Sequence, residues 1–104
     1  MAAILRHDQT LNRVYGSLIS AMRRRAGGAM EPAAVKTLRV EQRAWVDARD
    51  RTCRAEGRAA RSAGGAGWAA ALAPCFAAQT DRRTSELQAR LRALRRGPQR
   101  AAPR

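Results

Sequence analysis

Apolar residues recur at helical spacing in three stretches of the chain, and two glycine-rich breaks separate these stretches. In the first stretch, residues 3–25, the apolar positions fall within an arc of about 100° when the residues are drawn at about 100° each. These positions are Ile4, Leu11, Val14, Tyr15, Leu18 and Met22. No alternating run of β-branched residues occurs along the chain, so the pattern predicts an all-α fold.

Glycine and proline predict where the helices end. The first break places Gly27 and Gly28 after the first helix and Pro32 at the first turn of the second, the usual asymmetry between helix ends. The second break runs from residue 62 to residue 67 and is rich in glycine.

We therefore expect helices over about 3–25, 32–61 and 67–95, packed as an antiparallel three-helix bundle in which the second helix is the long central element. The last residues, 97–104, contain two prolines and have no apolar period. We expect one helical domain over 1–96 followed by a disordered basic tail over 97–104.

The second helix carries an unusually polar stripe. Its members share an arc of roughly 80°, and they are Leu38, Gln42, Trp45, Val46, Arg49 and Cys53. The third stretch also has polar residues at the centre of its apolar stripe, namely Gln79, Thr80 and Arg83.

A buried guanidinium group is tolerated only when it is paired and hydrogen-bonded. We expect a structural interhelical network that joins Arg49 and Arg83 to some of the polar residues Asp8, Asn12, Gln42, Thr80 and Glu86. Asp50 lies about 100° around the helix from Arg49, so we expect it to serve another helix. The alternatives are a ligand-binding role and arginines that extend to solvent.

The two tryptophans, Trp45 and Trp68, sit at helical spacing with aliphatic neighbours. This placement predicts packing in the core and at the hinge between helices two and three. The alternative is a ligand platform.

The two cysteines, Cys53 and Cys75, lie on opposite sides of the second break. Antiparallel second and third helices would bring them together, so we expect a disulfide in an oxidising compartment. Closing a loop of this length stabilises a fold by roughly 3 kcal/mol on the chain-entropy model. The alternative is two unpaired buried thiols, as expected in a reducing cytosol.

The chain lacks the residues of a recognisable catalytic or metal site. His7 is the only histidine, and two cysteines do not complete a four-ligand zinc site. The serines have no glycine-framed elbow, and no glycine-rich loop followed by lysine is present to bind a phosphate. We expect a protein without enzymatic activity, cofactor or metal.

The formal net charge is +13, and every lysine or arginine except Lys36 is an arginine. One interpretation is an anionic partner such as nucleic acid, an anionic lipid or an acidic protein. No nucleic-acid recognition motif is visible, so binding to nucleic acid would be non-specific contact with phosphates. The other interpretation is GC-rich coding DNA, because alanine is equally abundant.

The order and spacing of several residues resemble the LprI-like lysozyme-inhibitor domain. The resemblance covers about residues 8–91 and rests on an LN..Y opening at 11–15, a Q.AW...RD..C centre at 42–53 and a C....T..RT.EL close at 75–87. The polar and aromatic residues of this signature that we expect to be structural are Asn12, Tyr15, Gln42, Trp45, Arg49, Asp50, Thr80 and Arg83.

The resemblance implies a small, disulfide-containing, all-helical binding domain of the bacterial cell envelope, without enzymatic activity. The implied partner is lysozyme or another envelope protein, and no transmembrane segment is expected. Members usually begin with a signal peptide and a cysteine-bearing segment, which residues 1–7 do not resemble. We expect the true start to lie upstream and the protein to be periplasmic or secreted; the alternative is a cytoplasmic copy.

Net charge bears on the implied activity. Lysozymes are commonly strongly basic, so a charge of +13 opposes their association with this chain. An acidic patch around Glu41, Asp47 and Asp50 is the candidate docking surface. The alternative function is that of a basic helical protein that binds nucleic acid or anionic envelope components non-specifically. The sequence does not indicate an oligomeric state.

Overall fold

Three α-helices account for nearly all of the computed structural model, which describes residues 2–28, 30–62 and 67–101. The helices are α1 (Ala2–Ala26), α2 (Ala33–Ser62) and α3 (Gly67–Ala101). These three ranges contain no β-strand. The predicted all-α, three-helix fold is confirmed, and the helices form a rod of 62 × 26 × 23 Å.

The longest helix, α3, lies at the centre of the bundle. α1 and α2 each pack along α3 but contact one another only slightly. α2, predicted as the long central element, is the middle helix in chain order, whereas α3 is the helix that contacts both of the others. The apolar periodicity of a helix shows which of its faces is buried. It does not show how many neighbouring helices that face contacts.

The direction of each helix follows from its contacts with α3. His7, near the start of α1, lies beside Asp81, and Arg25, near its end, lies beside Leu94, so α1 runs parallel to α3. α2 follows α1 by a reversal of the chain and runs antiparallel to both.

The core lies where the apolar stripes of the three helices meet. Burying one leucine or valine side chain contributes about 1.5–3 kcal/mol, so this cluster supplies much of the driving force for folding. Val35 and Leu87 are its most deeply buried members. The buried apolar cluster consists of Leu11, Leu18, Ile19, Ala21, Val35, Leu38, Leu87 and Leu91.

The first glycine-rich break ends α1 as predicted. Gly27 has a φ of 69°, the left-handed region that glycine adopts without a Cβ clash, and its N–H donates to the Arg23 carbonyl at 3.1 Å. On the other side of the break, the Pro32 carbonyl accepts the N–H groups of Val35 and Lys36, which starts α2.

Glu31 ties this connection to both helices. One carboxylate oxygen accepts hydrogen bonds from Arg23 of α1 at 2.6 Å and from Arg39 of α2 at 2.9 Å, and the other oxygen accepts from Arg39 Nε at 3.2 Å. The hydrogen bond from Arg39, followed by that from Arg23, lowers the pKa of Glu31 to about 2.

The second and third helices are joined by the disulfide Cys53–Cys75, with a Cα–Cα distance of 5.5 Å and both residues buried. The predicted cross-link is confirmed. The predicted break between these helices includes residues 63–66, which lie outside the described residues, as does the side chain of Trp68.

The end of α3 differs from the prediction, because the helix continues to Ala101 instead of ending at residue 95. Pro98 has no N–H, so the carbonyl of Leu94 lacks its usual partner four residues later. Arg25 Nη1 from α1 donates to that carbonyl at 2.6 Å. A long-range hydrogen bond thus replaces the one that proline removes.

Gly97 leaves room for this arginine. A Cβ at residue 97 would lie only 3.0 Å from Arg25 Nη2. The glycine and proline that predict a disordered tail therefore lie in helix, because α1 supplies a donor that a local sequence pattern does not reveal. The predicted domain boundary at residue 96 stays a prediction, and residues 102–104 lie outside the described part.

None of the described helices contains an apolar segment of the length needed to cross a membrane.

Reduction of the disulfide is expected to lower the free energy of unfolding by about 3 kcal/mol, because Cys53 and Cys75 close a loop in the unfolded chain. Their sequence separation is 22 residues. Urea unfolding followed by circular dichroism, with and without reductant, measures this difference. The C53A/C75A variant is the control, since reductant should leave its unfolding curve unchanged. Identical curves for the oxidised and reduced native chain would contradict a stabilising cross-link.

The Glu31 ion pairs give a second prediction, on pH dependence. A lowered pKa means that the pairs stabilise the fold above the ordinary pKa of 4.5, and that this stabilisation is lost as the pH falls toward 2. Glu31→Gln should therefore have a lower melting temperature than the native chain at neutral pH. Near pH 2 the two melting temperatures should be equal.

The matched control for this experiment is Glu56→Gln, which removes the same charge from an exposed residue for which the described residues show no ion pair. The control should melt with the native chain at neutral pH. If the melting temperature of Glu31→Gln is still below that of the native chain near pH 2, charge pairing is not the cause of the difference.

Candidate functional site

Two arginine side chains enter the interior of the bundle from opposite helices. Arg49 projects from α2 and Arg83 from α3, and their side chains are only 11% and 5% exposed. We call these two residues and the side chains that bind them the arginine network; its other members are Asp8, Glu41, Gln42, Asp50, Thr80 and Glu86.

Each nitrogen of the Arg83 guanidinium has an acceptor. Nε donates to Gln42 Oε1 at 2.9 Å, Nη1 to Glu86 Oε1 at 3.1 Å and Nη2 to Glu41 Oε2 at 3.3 Å. The two carboxylates compensate the buried positive charge. Gln42 and Glu41 belong to α2, so this one side chain fixes α2 against α3.

Arg49 connects all three helices. Its Nε donates to Asp50 at 3.1 Å, and its Nη1 donates both to Asp8 of α1 and to Thr80 of α3 at 3.2 Å. Thr80 is fully buried, and its carbonyl accepts a 2.9 Å hydrogen bond from the Thr84 hydroxyl. The interior polar groups are thus linked from α1 through α2 to α3.

Aromatic rings flank the guanidinium groups. The Arg49 guanidinium carbon lies 5.1 Å from the ring centres of both Trp45 and Phe76, and that of Arg83 lies 6.0 Å from Trp45. At these distances the ring faces attract the cations. Trp45 is half-buried and packs against the apolar core, so it joins the core to the polar interior as a packing residue.

Glu41 carries a second ion pair at the edge of the network, with Arg90 of α3. The hydrogen bond from Arg90, with a smaller contribution from Arg83, lowers the pKa of Glu41 despite the desolvation that opposes ionisation. The carboxylate therefore stays ionised and shares its charge between two arginines.

Most of the predicted network residues lie together, but three placements differ from the prediction. Asn12 is exposed and makes no side-chain hydrogen bond to the described residues, and Tyr15 lies half-buried at the margin of the core. Asp50 binds its neighbour Arg49 instead of another helix, because the long arginine side chain turns back across the 100° between them. The residues brought together are Asp8, Gln42, Trp45, Arg49, Asp50, Thr80, Arg83 and Glu86.

The contacts of Glu41, Phe76 and Arg90 with the network arginines and with each other were not predicted from the sequence. Glu41 was assigned to an exposed acidic docking patch, yet it binds Arg83 and Arg90. Since Asp50 is also bound, Asp47 is the one member of that patch without an ion pair among the described residues. The signal for these roles lay in the disulfide, because it fixes which levels of α2 and α3 face one another.

The buried polar side chains satisfy one another's hydrogen bonds. Throughout the described residues, every buried side-chain nitrogen or oxygen has a hydrogen-bond partner. All three nitrogens of Arg83 donate to acceptors within the bundle, and Arg49 does so through Nε and Nη1. The network is suited to holding helices in register, which is a structural role.

Truncation of the deeper arginine should be costly. Arg83→Ala leaves buried Gln42 without its donor and removes the cation beside two partly exposed carboxylates, so we expect a loss of about 2–3 kcal/mol in the free energy of unfolding. Arg82→Ala is the matched control, because it removes the same charge one residue away from an exposed position; its effect should stay within about 0.5 kcal/mol. Urea unfolding measures both variants, and equal effects would contradict the buried network.

A model of the family described as "Lysozyme inhibitor LprI" matches residues 1–87. No curated protein and no solved structure gives a significant match. The family match includes all of α1 and α2, the α3 residues as far as Leu87, both cysteines and every member of the arginine network. The match covers most of the chain, and the chain therefore belongs to the LprI lysozyme-inhibitor family.

Proposed function

We propose that this chain is a non-enzymatic binding protein of the bacterial cell envelope that inhibits lysozyme by protein–protein contact. The family match over residues 1–87 carries the proposal. The interior supports a binding role over a catalytic one, because its buried polar side chains are hydrogen-bonded to one another. A rigid rod of three helices offers a preformed surface to a partner.

The disulfide supports the proposed compartment. Protein thiols are kept reduced in most cytosols, whereas disulfides persist in the periplasm and outside the cell. The Cys53–Cys75 bond links the two helices that hold most of the arginine network. A periplasmic or secreted location therefore fits the chemistry of the scaffold.

We propose the shallow cleft between α1 and α2 as the surface that contacts lysozyme. Its lining includes the signature residue Tyr15 together with Arg43, Val46 and Asp47. Val40, which is 60% exposed, lies on the same stripe of α2. An aromatic ring, aliphatic groups and a carboxylate that forms no ion pair with the described residues are suitable components of a protein interface.

Electrostatics shape how this surface would work. Six carboxylates accept hydrogen bonds from basic side chains within the described residues, and they are Asp8, Glu31, Glu41, Asp50, Asp81 and Glu86. The two acidic residues without such a contact to the described residues are Asp47, which lines the cleft, and Glu56, which does not. The remaining surface repels such a partner, so we expect association with a basic lysozyme to become faster as salt is added.

Muramidase activity measured with the refolded, oxidised protein in excess tests the proposed function. A basic lysozyme should lose most of its activity, and full activity would contradict inhibition. The cleft is tested by Asp47→Arg, which should weaken inhibition about tenfold, against Glu56→Arg, which makes the same charge change at another exposed site on α2. Equal losses in the two variants would contradict the cleft while leaving inhibition intact.

A further inference from the structure

A groove along the seam between α1 and α3 gathers four exposed arginines. Arg13 and Arg24 extend from α1, and Arg92 and Arg95 from α3. Arg13, Ser17 and Arg95 line both halves of the groove, so the two halves adjoin one another. We call this surface the arginine groove.

No carboxylate lies among the described residues that line the arginine groove. Elsewhere in the described structure, arginines such as Arg39, Arg49 and Arg83 bind acidic partners, whereas the four groove arginines form no ion pair with described residues. Four like charges on one concave surface repel each other, and an anion bound there relieves that repulsion.

Neutral polar groups complete the lining. Ser17 and Ser20 contribute hydroxyls, and Asn12 and Gln88 contribute amides, all of which donate hydrogen bonds to anionic oxygens. The space beside Gly16 is open, since a Cβ at this residue would have no atom within 4 Å. The groove therefore combines positive charge, hydrogen-bond donors and open space.

We propose that the arginine groove binds a flexible phosphodiester chain through its phosphate groups alone. The guanidinium fork matches the oxygens of a phosphate better than the point charge of lysine does. Arg13 and Arg24 are about 16 Å apart along α1 at 1.5 Å per residue, a distance longer than one phosphate group. The site thus fits several phosphates in sequence.

Shape and composition favour a narrow chain whose bases, if it has any, are not contacted. None of the described lining residues is aromatic, and base recognition on single strands depends on stacking against aromatic rings. The arginines line the walls of a concavity, which a chain enters more readily than a flat bilayer. The groove shares no lining residue with the α1–α2 cleft, so this proposal stands apart from lysozyme inhibition.

Fluorescence anisotropy with a labelled oligo(dT), measured over a range of salt concentrations, tests this proposal. The groove variant is R13Q/R24Q/R92Q/R95Q. The matched control, R51Q/R54Q/R58Q/R82Q, removes the same number of charges from exposed positions outside the groove. Each phosphate contact on a single strand contributes roughly 0.7 to the slope of log K against log salt. Loss of the four groove arginines should therefore reduce the magnitude of this slope by about 3. The control variant should change the slope much less.

Equal losses in the two variants would overturn the proposal, because net charge alone would then explain binding. Unlabelled inorganic polyphosphate should displace oligo(dT), and failure to displace it would show that bases are required. Vesicles containing phosphatidylglycerol should bind the groove variant and the control equally; selective loss of vesicle binding in the groove variant would identify a membrane surface as the occupant instead.

A second variant, R13K/R24K/R92K/R95K, keeps the charge and removes the guanidinium forks. It should bind oligo(dT) several-fold more weakly than the native chain, with a similar salt slope. Affinity equal to that of the native chain would overturn the assignment of phosphate contacts to the guanidinium groups. Circular dichroism of all three variants checks that each is folded before binding is measured.

Discussion

The rest of the structure depends on the neutralisation of a guanidinium group inside the bundle. Arg83 is almost wholly buried, and its charge is tolerated because Gln42, Glu41 and Glu86 meet its three nitrogens. Two of these acceptors belong to α2, so sliding or rotating that helix would leave a buried charge uncompensated. Arg49 extends the same constraint to α1 and α3. Polar contacts specify the register that the apolar core, being non-directional, does not specify by itself.

The covalent and polar contacts between α2 and α3 agree on this register. Counting 11 residues back from Cys53 along α2 and 11 forward from Cys75 along α3 brings Gln42 level with Glu86, within one turn of Arg83. The disulfide therefore places the acceptor near its donor before side-chain details are considered. The polar family-signature residues that meet here lie in the interior, where they bind one another across the helices, and we propose that the outer surface contacts partners.

Periodicity and chain breaks predicted what is local: three helices, the end of α1 at Gly27 and the side of α2 that turns inward. The disulfide followed from the antiparallel hairpin. What depends on distant contacts was not predictable in this way. The helical end of α3 rests on Arg25 bonding the Leu94 carbonyl, and Asn12 is exposed although it flanks the buried stripe of α1. Glu41 serves two arginines of α3, a role that becomes visible only once the register is known.

The excess of basic over acidic residues makes the exterior basic, and the pairing of carboxylates with interior and interhelical arginines leaves few acidic groups without a partner. The central claim is that Arg83 is buried and hydrogen-bonded, and hydrogen exchange of arginine Nε–H groups measured by nitrogen-15 NMR tests it most directly. The Arg83 Nε–H donates to buried Gln42, so it should exchange much more slowly than that of exposed Arg82. Exchange of both protons at the same rate would contradict the account.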